Sequence, residues 1–210
     1  HGLSGILRIA VIPTALTRAA QLASAFTARN PNVRITILSR TSHEILSLIE
    51  NLDVDAGISY LDNEPTGRVS TEPLYEERYL LVSGPGSPFA GRESVRWDEL
   101  GGHRLCLLTP EMQNRRIINR NFATAGISPE AWVESDSTVI LVAMVASGGW
   151  LTVLPEDGAR FLASGKPLQL SRLTGREQPH TVGLVAPWRD PHTPVLEALL
   201  REARRLSTVG

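Results

Sequence analysis

The chain of 210 residues contains one cysteine, Cys106, one lysine, Lys166, and only 5% aromatic residues. A single cysteine excludes any disulfide within the chain. Cys106 lies in the apolar run Leu105-Cys106-Leu107-Leu108, which predicts a buried strand in which the thiol packs as a small apolar group. No apolar run approaches the roughly 20 residues that a membrane-spanning helix needs, so we expect no membrane segment.

Excess charge is also lacking. The formal net charge is −1 at pH 7, which gives no basic surface for nucleic acid, so we expect these residues by themselves to bind DNA poorly. With 42% hydrophobic and 20% charged residues, the composition is that of a globular protein. The length suits one large domain or two small lobes.

Residues 7–26 predict a strand, a short turn and a helix. The apolar run 9–12 is typical of a buried strand, and apolar residues from 16 to 26 recur three or four positions apart, as on one helical face. Pro13 and Thr14 fall at the junction, where open α/β sheets bind ligands. Thr14 has two interpretations: it caps the helix, or its hydroxyl binds a small anion or carboxylate at the positively polarised helix end.

A hydroxyl residue between a strand and a helix recurs further along the chain. Thr41 and Ser42 follow a strand, and Thr41 with Glu44 fits a capping box. Thr109 followed by Pro110 predicts another helix that Thr109 caps, with proline at its first position. The fourth such junction has Ser135 or Ser137 between a strand and an apolar helix. Counting the polar residues that end strands, the candidate ligand-binding residues from the pattern alone are Pro13, Thr14, Thr41, Ser42, Ser59, Tyr60, Thr109 and Ser135.

The order of these junctions predicts two lobes. Two of these strand-to-helix junctions precede a long predicted strand at 74–83, and two follow it. If the strand 181–186 returns to the first sheet, lobe I comprises 1–77 plus 181–210 and lobe II comprises 78–180. Two crossover strands then join two Rossmann-like α/β lobes, and a cleft between them can close on a small ligand.

Two helices complete the prediction. Residues 139–146 are almost wholly apolar and predict a helix buried against a sheet, whereas Thr193 and Pro194 predict a capped start for the last helix.

Catalytic and metal-binding patterns have little support. Asp53 and Asp55 are close together, but no third ligand follows at a suitable spacing. The histidines are scattered, and none lies near a nucleophile in a recognisable setting: His43, His103, His180 and His192. We therefore expect no enzyme activity, no metal and no cofactor.

The ordered set of motifs resembles the effector-binding domain of LysR-type transcriptional regulators over essentially the whole chain. It consists of residues 5–9 with Pro13-Thr14, 53–58, 72–82 and 145–155. The resemblance implies a type II periplasmic-binding-protein fold and a bacterial cytoplasmic sensor. In such regulators a winged helix-turn-helix DNA-binding domain comes first, and that domain is absent from this chain.

The resemblance also implies a binding site and partners. The effector binds in the interlobe cleft against Thr14 and Ala15, then Thr41 and Ser42, with Thr109 opposite them. The implied assemblies are a homodimer through this domain and a homotetramer of the full-length protein, which binds promoter DNA through its N-terminal domain. The turn 107–111 before an arginine-containing helix is similar to the branch that senses small anions such as cyanate or formate, where Arg115 or Arg116 would restore positive potential.

Two other functions remain open on the same scaffold. A periplasmic solute-binding protein for a transporter would use the same cleft, and its precursor would carry a signal peptide. A lyase similar to prephenate dehydratase would need catalytic groups that the sequence does not display.

Overall fold

The structure is a computed structural model that describes residues 2–176 and 178–210. It has a mixed α/β fold, which confirms the predicted fold class. The strands are β1 Ser4–Val11, β2 Asn32–Ser39, β3 Ala56–Tyr60, β4 Val69–Glu77, β5 Tyr79–Ser83, β6 Ser94–Arg96, β7 Leu105–Leu108, β8 Ala131–Ser135, β9 Thr152–Pro155, β10 Gln169–Thr174 and β11 His180–Pro187.

In the described residues five α-helices lie between these strands and a sixth follows β11, and 3₁₀ turns occur at Pro13–Ala15 and Trp97–Leu100. The helices are α1 Leu16–Arg29, α2 Ser42–Glu50, α3 Gln113–Thr124, α4 Thr138–Ala146, α5 Glu156–Ala163 and α6 Pro194–Leu206. None of those in the described residues is long and apolar enough to cross a bilayer.

The chain divides into two compact units. Unit 1 spans His1–Glu77 and Pro179–Gly210, and unit 2 spans Arg78–Gln178. The predicted long strand at 74–83 is wrong in one respect, because it is interrupted at Arg78. Its first part, β4, pairs with β11 in unit 1, and its second part, β5, pairs with β9 and β10 in unit 2.

Unit 1 contains a five-stranded sheet of order β2-β1-β3-β11-β4. β1 runs parallel to β2 and β3, whereas β11 is antiparallel to both of its neighbours. Val11 at the end of β1 is in register with Ser39 on one side and Ile58 on the other. The carboxyl ends of β1 and β2 therefore lie level, and β3 continues two residues further to Tyr60 at the same edge of the sheet.

Helix α2 packs directly against β3 because residue 57 is glycine. A Cβ there would meet the Ile45 side chain and would lie 3.1 Å from the Ala10 carbonyl oxygen and 3.3 Å from Ile49 Cδ1. Ile45, Ile49 and Ile58 are almost fully buried. This contact fixes where the first turn of α2 emerges at the edge of the sheet.

Unit 2 contains a four-stranded sheet of order β6-β10-β5-β9 and a two-stranded parallel sheet of β7 and β8. Its core is a cluster of buried side chains from both sheets and from α4 and α5: Leu80, Val82, Cys106, Leu108, Met112, Leu141, Val142, Val145, Leu154 and Ala159.

The expectation that the apolar helix at 139–146 is buried is wrong for part of its surface. Leu141, Val142 and Val145 are buried, but Val139 is 60% exposed and Ile140 46% exposed. The helix packs on β5, β7 and β9 with one side only, and its uniformly apolar sequence gave no sign of which side that would be.

Gly183 offers a test of the unit 1 sheet. It sits at an irregularity where β11 shifts register against β4. A Cβ there would meet the Glu72 carbonyl oxygen and would lie 2.8 Å from Leu61 Cδ1 and 2.9 Å from Pro73 Cα. We expect Gly183→Ala to lower the free energy of unfolding by about 1–3 kcal/mol, since the sheet backbone must shift to admit a methyl group.

Gly158→Ala is the matched control for this prediction. Gly158 lies in α5 with nothing within 4 Å of a built Cβ, so alanine should be neutral or stabilise the helix by up to about 1 kcal/mol. Urea unfolding followed by circular dichroism compares the two variants, and equal midpoints would contradict the tight packing described at Gly183.

Candidate functional site

The carboxyl edge of β1, β2 and β3 brings together the predicted site residues of unit 1. Pro13, Thr14 and Ala15 follow β1, Thr41 and Ser42 follow β2, and Ser59 and Tyr60 end β3. The Ile12 N–H donates to the Ile58 carbonyl at 3.1 Å, and the Arg40 N–H donates to the Val11 carbonyl at 2.9 Å, so the pairing continues past the strand ends. Because β1 lies between β2 and β3, the winding of the sheet reverses there, which is where open sheets bind ligands.

Thr14 does not cap a helix, so that interpretation is wrong. It lies inside the 3₁₀ turn that Pro13 opens, the N-cap of α1 is Ala15, and neither cap position makes a side-chain hydrogen bond. Proline begins the turn one residue early because its φ is already fixed near the helical value. Thr14 is 6% exposed, and within the described residues its buried Oγ1 has no hydrogen-bond partner.

Thr17, one turn further along, has the same unusual property. Its Oγ1 is also buried and unpartnered in the part of the chain that the structure describes. Sequence reasoning missed it because a threonine in the first turn of a helix has no distinctive pattern.

Helix α2 starts with the capping box that the sequence predicted. Thr41 Oγ1 accepts from the Glu44 N–H at 3.2 Å, and the Thr41 N–H donates to Glu44 Oε1 at 3.2 Å. Thr41 Oγ1 is therefore used as an acceptor by the helix, whereas its O–H can still donate to a ligand. Ser42 differs, since it is 3% exposed and its Oγ finds no partner among residues 2–176 and 178–210.

The hydroxyl of Tyr60 is occupied as well. It donates to Glu77 Oε1 at 2.6 Å, in buried surroundings. The neighbouring Ser59 is 3% exposed and pairs with Gly183 across the sheet. Of the residues at this edge, Thr14 and Ser42 thus combine burial with an unused hydroxyl.

Unit 2 repeats the arrangement at the ends of β7 and β8. The Thr109 N–H donates to the Ser135 carbonyl at 3.0 Å, and Ser135 Oγ accepts from the Ser137 N–H at 3.1 Å. Thr109 was wrongly expected to cap a helix. A turn closed by the Met112 N–H on the Thr109 carbonyl comes first, and α3 begins only at Gln113.

The consequence for Thr109 is the same as for Thr14. Its Oγ1 is buried, and the described chain provides it with no hydrogen-bond partner.

The arginines of α3 have structural contacts. Arg115 is 8% exposed, and its Nη1 donates to the Leu108 carbonyl at 2.6 Å and to Glu134 Oε2 at 2.7 Å. Arg116 Nη1 donates to the carbonyls of Pro110 and Glu111 at 3.0 and 2.9 Å. These bonds tie the turn before α3 to the helix. The carboxylate of Asp55 also has a structural role, since its Oδ2 accepts a hydrogen bond from the Arg8 N–H at 2.7 Å.

A pocket of about 400 Å³ in unit 1 lies away from the candidate residues. Its lining includes Leu52, Arg68, Val69, Pro187 and Trp188. Val69 and Pro187 are paired at the far end of β4 and β11, and β11 runs antiparallel to β3. The pocket is therefore at the opposite edge of the sheet from Thr14 and Ser42.

The thiol of Cys106 is buried, as expected from its apolar run. Sγ lies 3.5 Å from the Leu141 carbonyl and 3.4 Å from the Leu151 carbonyl, and the residue is fully buried. Burial raises the pKa of the thiol to about 11, an effect that a hydrogen bond with Thr152 only partly opposes. Because the thiolate is the reactive form, this cysteine is inert near neutral pH.

We expect the raised pKa to control alkylation of Cys106. Relative to an ordinary pKa of 9.0, the raised pKa of about 11 lowers the thiolate fraction at pH 8 about 100-fold, so iodoacetamide should label the native chain at least that much more slowly than the chain in urea. The native rate should keep rising beyond pH 10, whereas the rate in urea levels off near pH 10. Mass spectrometry of timed samples measures both, and equal rates would contradict the buried thiol.

The chain is similar to known proteins over most of its length. The model of the LysR substrate binding domain matches residues 1–207. The uncharacterized HTH-type transcriptional regulator YfeR of Shigella flexneri is 30% identical over 146 residues, which are 70% of this chain and 47% of YfeR. The chain thus spans about half the length of that relative.

Solved structures show the same fold. A cysteine mutant of Corynebacterium glutamicum OxyR superposes with a TM-score of 0.83 at 20% identity, covering 98% of this chain and 65% of that one. The effector-binding domain of QuiR in complex with shikimate gives 0.83 at 18% identity, covering 97% of both chains. Together with the match to the family model, these results show that the chain belongs to the LysR substrate-binding domain family, the ligand-sensing part of LysR-type transcriptional regulators.

Proposed function

We propose that this chain senses a small anionic metabolite at the carboxyl edge of β1, β2 and β3. The observation that carries the proposal is the pair of buried, unpartnered hydroxyls of Thr14 and Ser42, placed at the starts of two helical segments that leave adjacent strands. A buried polar group without a partner costs about 1–3 kcal/mol. Two such hydroxyls at one edge of the sheet indicate that a ligand completes their hydrogen bonds.

The chemistry of this edge favours an acceptor-rich ligand. A hydroxyl can donate, and the first turns of α1 and α2 carry backbone N–H groups and partial positive charge. Glu44, the acidic residue in the first turn of α2, is bonded to the Thr41 N–H. The effector domain of QuiR, which has the same fold, is in complex with shikimate, a carboxylate. Inorganic anions and small carboxylates, including formate and cyanate, are the first compounds to test.

Thr109 is the candidate contribution from unit 2. Its unpartnered hydroxyl repeats the property of Thr14, and Ser135 lies beside it through the Thr109 backbone bond. Thr109→Val tests whether unit 2 contributes to binding. If affinity is unchanged in that variant, the binding residues are confined to unit 1.

The proposed role is regulatory rather than enzymatic. Relatives of this chain are transcriptional regulators, and a ligand that binds two conformations with different affinity shifts the population between them. In the full-length cytoplasmic regulator, promoter DNA is bound by a region outside these 210 residues, which is consistent with the net charge of −1. Peroxide sensing through a thiol does not fit, because Cys106 is buried and its pKa is raised.

We expect Thr14→Val and Ser42→Ala to separate binding from stability. Each removes a hydroxyl that makes no bond in the described structure, so the free energy of unfolding should stay equal or rise. The same changes remove a ligand bond worth about 1 kcal/mol, roughly a fivefold loss of affinity. A thermal-shift screen with formate, cyanate, acetate and larger carboxylates finds the ligand, since saturation at 100 times Kd stabilises by about 2.7 kcal/mol.

Thr41→Ala is the matched control. It removes the capping box of α2, so it should lower stability by about 1 kcal/mol. If Thr14→Val and Ser42→Ala instead destabilise the protein as Thr41→Ala does, their hydroxyls are structural. If both bind the identified anion as tightly as the original chain, the site assignment is wrong.

We also propose that this domain forms a homodimer. In unit 1 the edge strand β2 is largely exposed, and its Ile37 is 39% exposed. Leu16, the first residue of α1, is 36% exposed. In unit 2, β8 and α4 expose Trp132 and Val139, at 62% and 60%. Open strand edges with exposed apolar side chains are association sites that a monomer normally blunts. A second copy of the chain that packs on these surfaces would bury their apolar side chains.

We expect Val139→Lys to weaken this dimer. A charged side chain buried in an apolar interface loses hydration without gaining a partner. Light scattering after size-exclusion chromatography should show a fall from twice the chain mass towards 22.9 kDa. Phe161→Lys, which changes a side chain on α5 that is 69% exposed and is not part of the surfaces named above, should leave the mass unchanged. A dimer that survives Val139→Lys would place the interface elsewhere.

A further inference from the structure

A second pocket, of about 240 Å³, lies wholly within unit 2. Its wall is formed by the 3₁₀ turn that contains Trp97, the end of α3 and the segment that follows β10. Two of its wall residues are buried donors that remain unused in the described chain: Trp97 Nε1 and Asn121 Nδ2. Trp97 is 2% exposed and Asn121 is 7% exposed. Unsatisfied buried donors are rare in native proteins, and two beside one pocket require an explanation.

Neighbouring rings hold the Trp97 indole in place. Tyr79 packs edge-to-face on it with ring centroids 5.7 Å apart, and Phe122 does so at 5.6 Å. The indole nitrogen can only donate, and a buried tryptophan normally finds an acceptor for it. With the ring fixed between two aromatic neighbours, the acceptor must come to the indole.

The end of α3 does not supply that acceptor. Its final carbonyls already accept bonds from the turn that follows: the Ala125 N–H bonds to the Asn121 carbonyl, and the Gly126 N–H bonds to the Ala123 carbonyl, both at 3.0 Å. These bonds also reduce the negative potential at this helix end, because that potential arises from unsatisfied carbonyls.

The charges around the pocket favour an anion. Arg96 and Arg176 contribute to its wall, as does Asp98, whose Oδ1 lies 3.0 Å from Arg96 Nε. Glu99, which follows Asp98, is paired with Arg92 at 2.8 Å, a bond that lowers the pKa of Glu99 to about 2. Among the described residues that form the wall, two arginines thus face one carboxylate, that of Asp98.

We infer that this pocket is a second ligand site, distinct from the edge of β1, β2 and β3, and that it binds a small monocarboxylate. The carboxylate oxygens accept from Trp97 Nε1 and Asn121 Nδ2, and Arg176 supplies the opposite charge. The aromatic wall at Trp97 contacts the apolar body of the ligand. A volume of about 240 Å³ lies below the usual range for drug-sized ligands, which limits the ligand to about the size of benzoate.

The indole N–H of Trp97 is a direct reporter of this site. The chain contains four tryptophans, so a ¹⁵N-labelled sample gives four indole resonances, and Trp97→Phe identifies the one from Trp97. Titration with sodium benzoate should move that resonance downfield and saturate, because the N–H gains a hydrogen bond. The exposed indoles of Trp132 and Trp188 should not show a saturable shift.

Variants and a neutral probe determine the chemistry of the site. Asn121→Leu should abolish the saturable shift, and Arg176→Ala should weaken binding roughly fivefold, as expected for a lost charge interaction of about 1 kcal/mol. Arg201→Ala, an exposed arginine on α6 in unit 1, should leave it unchanged. Benzamide, which lacks the charge, should bind much more weakly than benzoate.

Three results would overturn the inference. A Trp97 resonance that shifts without saturating shows weak non-specific contact. A resonance that is already downfield and does not respond to benzoate shows that water satisfies the indole. Equal shifts with benzamide exclude a carboxylate-specific site. Thr14→Val should have no effect on this titration, so failure here is distinguishable from failure of the proposed effector site.

Discussion

The pairing of β1 with β2 on one side and β3 on the other is the constraint on which the effector edge depends. Val11 is in register with both Ser39 and Ile58, so β1 and β2 end level, and the segments that follow them begin side by side next to the end of β3. Gly57 then lets α2 approach the sheet closely enough to set Ser42 at that edge. The two buried hydroxyls are therefore held by the sheet backbone, and the loops contribute only their first turns.

Much of this arrangement follows from local sequence rules. The capping box at Thr41 and Glu44 and the cap of α6 by Thr193, which accepts from the Leu196 N–H at 3.3 Å, are as expected. Both depend on residues three positions apart, so a short stretch of sequence determines them. The apolar runs of the parallel strands are equally local. The α/β fold was predictable because these signals alternate along nearly the whole chain.

The properties that suggest ligand binding were not predictable in the same way. Thr14 and Thr109 each precede a helix and look like caps in the sequence, but their hydroxyls cap nothing. A turn comes before the α-helix in both cases, with Thr14 inside it and Thr109 at its start, and whether a hydroxyl then finds a partner depends on three-dimensional packing. Trp97 and Asn121 lie 24 positions apart and share no motif, so only the structure places them on one pocket. The exposed side of α4 was not predictable either, because its residues are apolar on every face and the sequence does not show which face is buried.

The sheet order of unit 1 has a consequence for synthesis of the protein. β11, which comes from the last part of the chain, lies between β3 and β4, so this sheet is incomplete until residue 187 has left the ribosome. Unit 2 is continuous from Arg78 to Gln178 and emerges before that point. During translation unit 2 can therefore reach its native structure first. The sheet of unit 1 then still lacks β11, the strand between β3 and β4. A ribosome-associated chaperone would find exposed apolar surface in the segment from β1 to β4, residues 4–77.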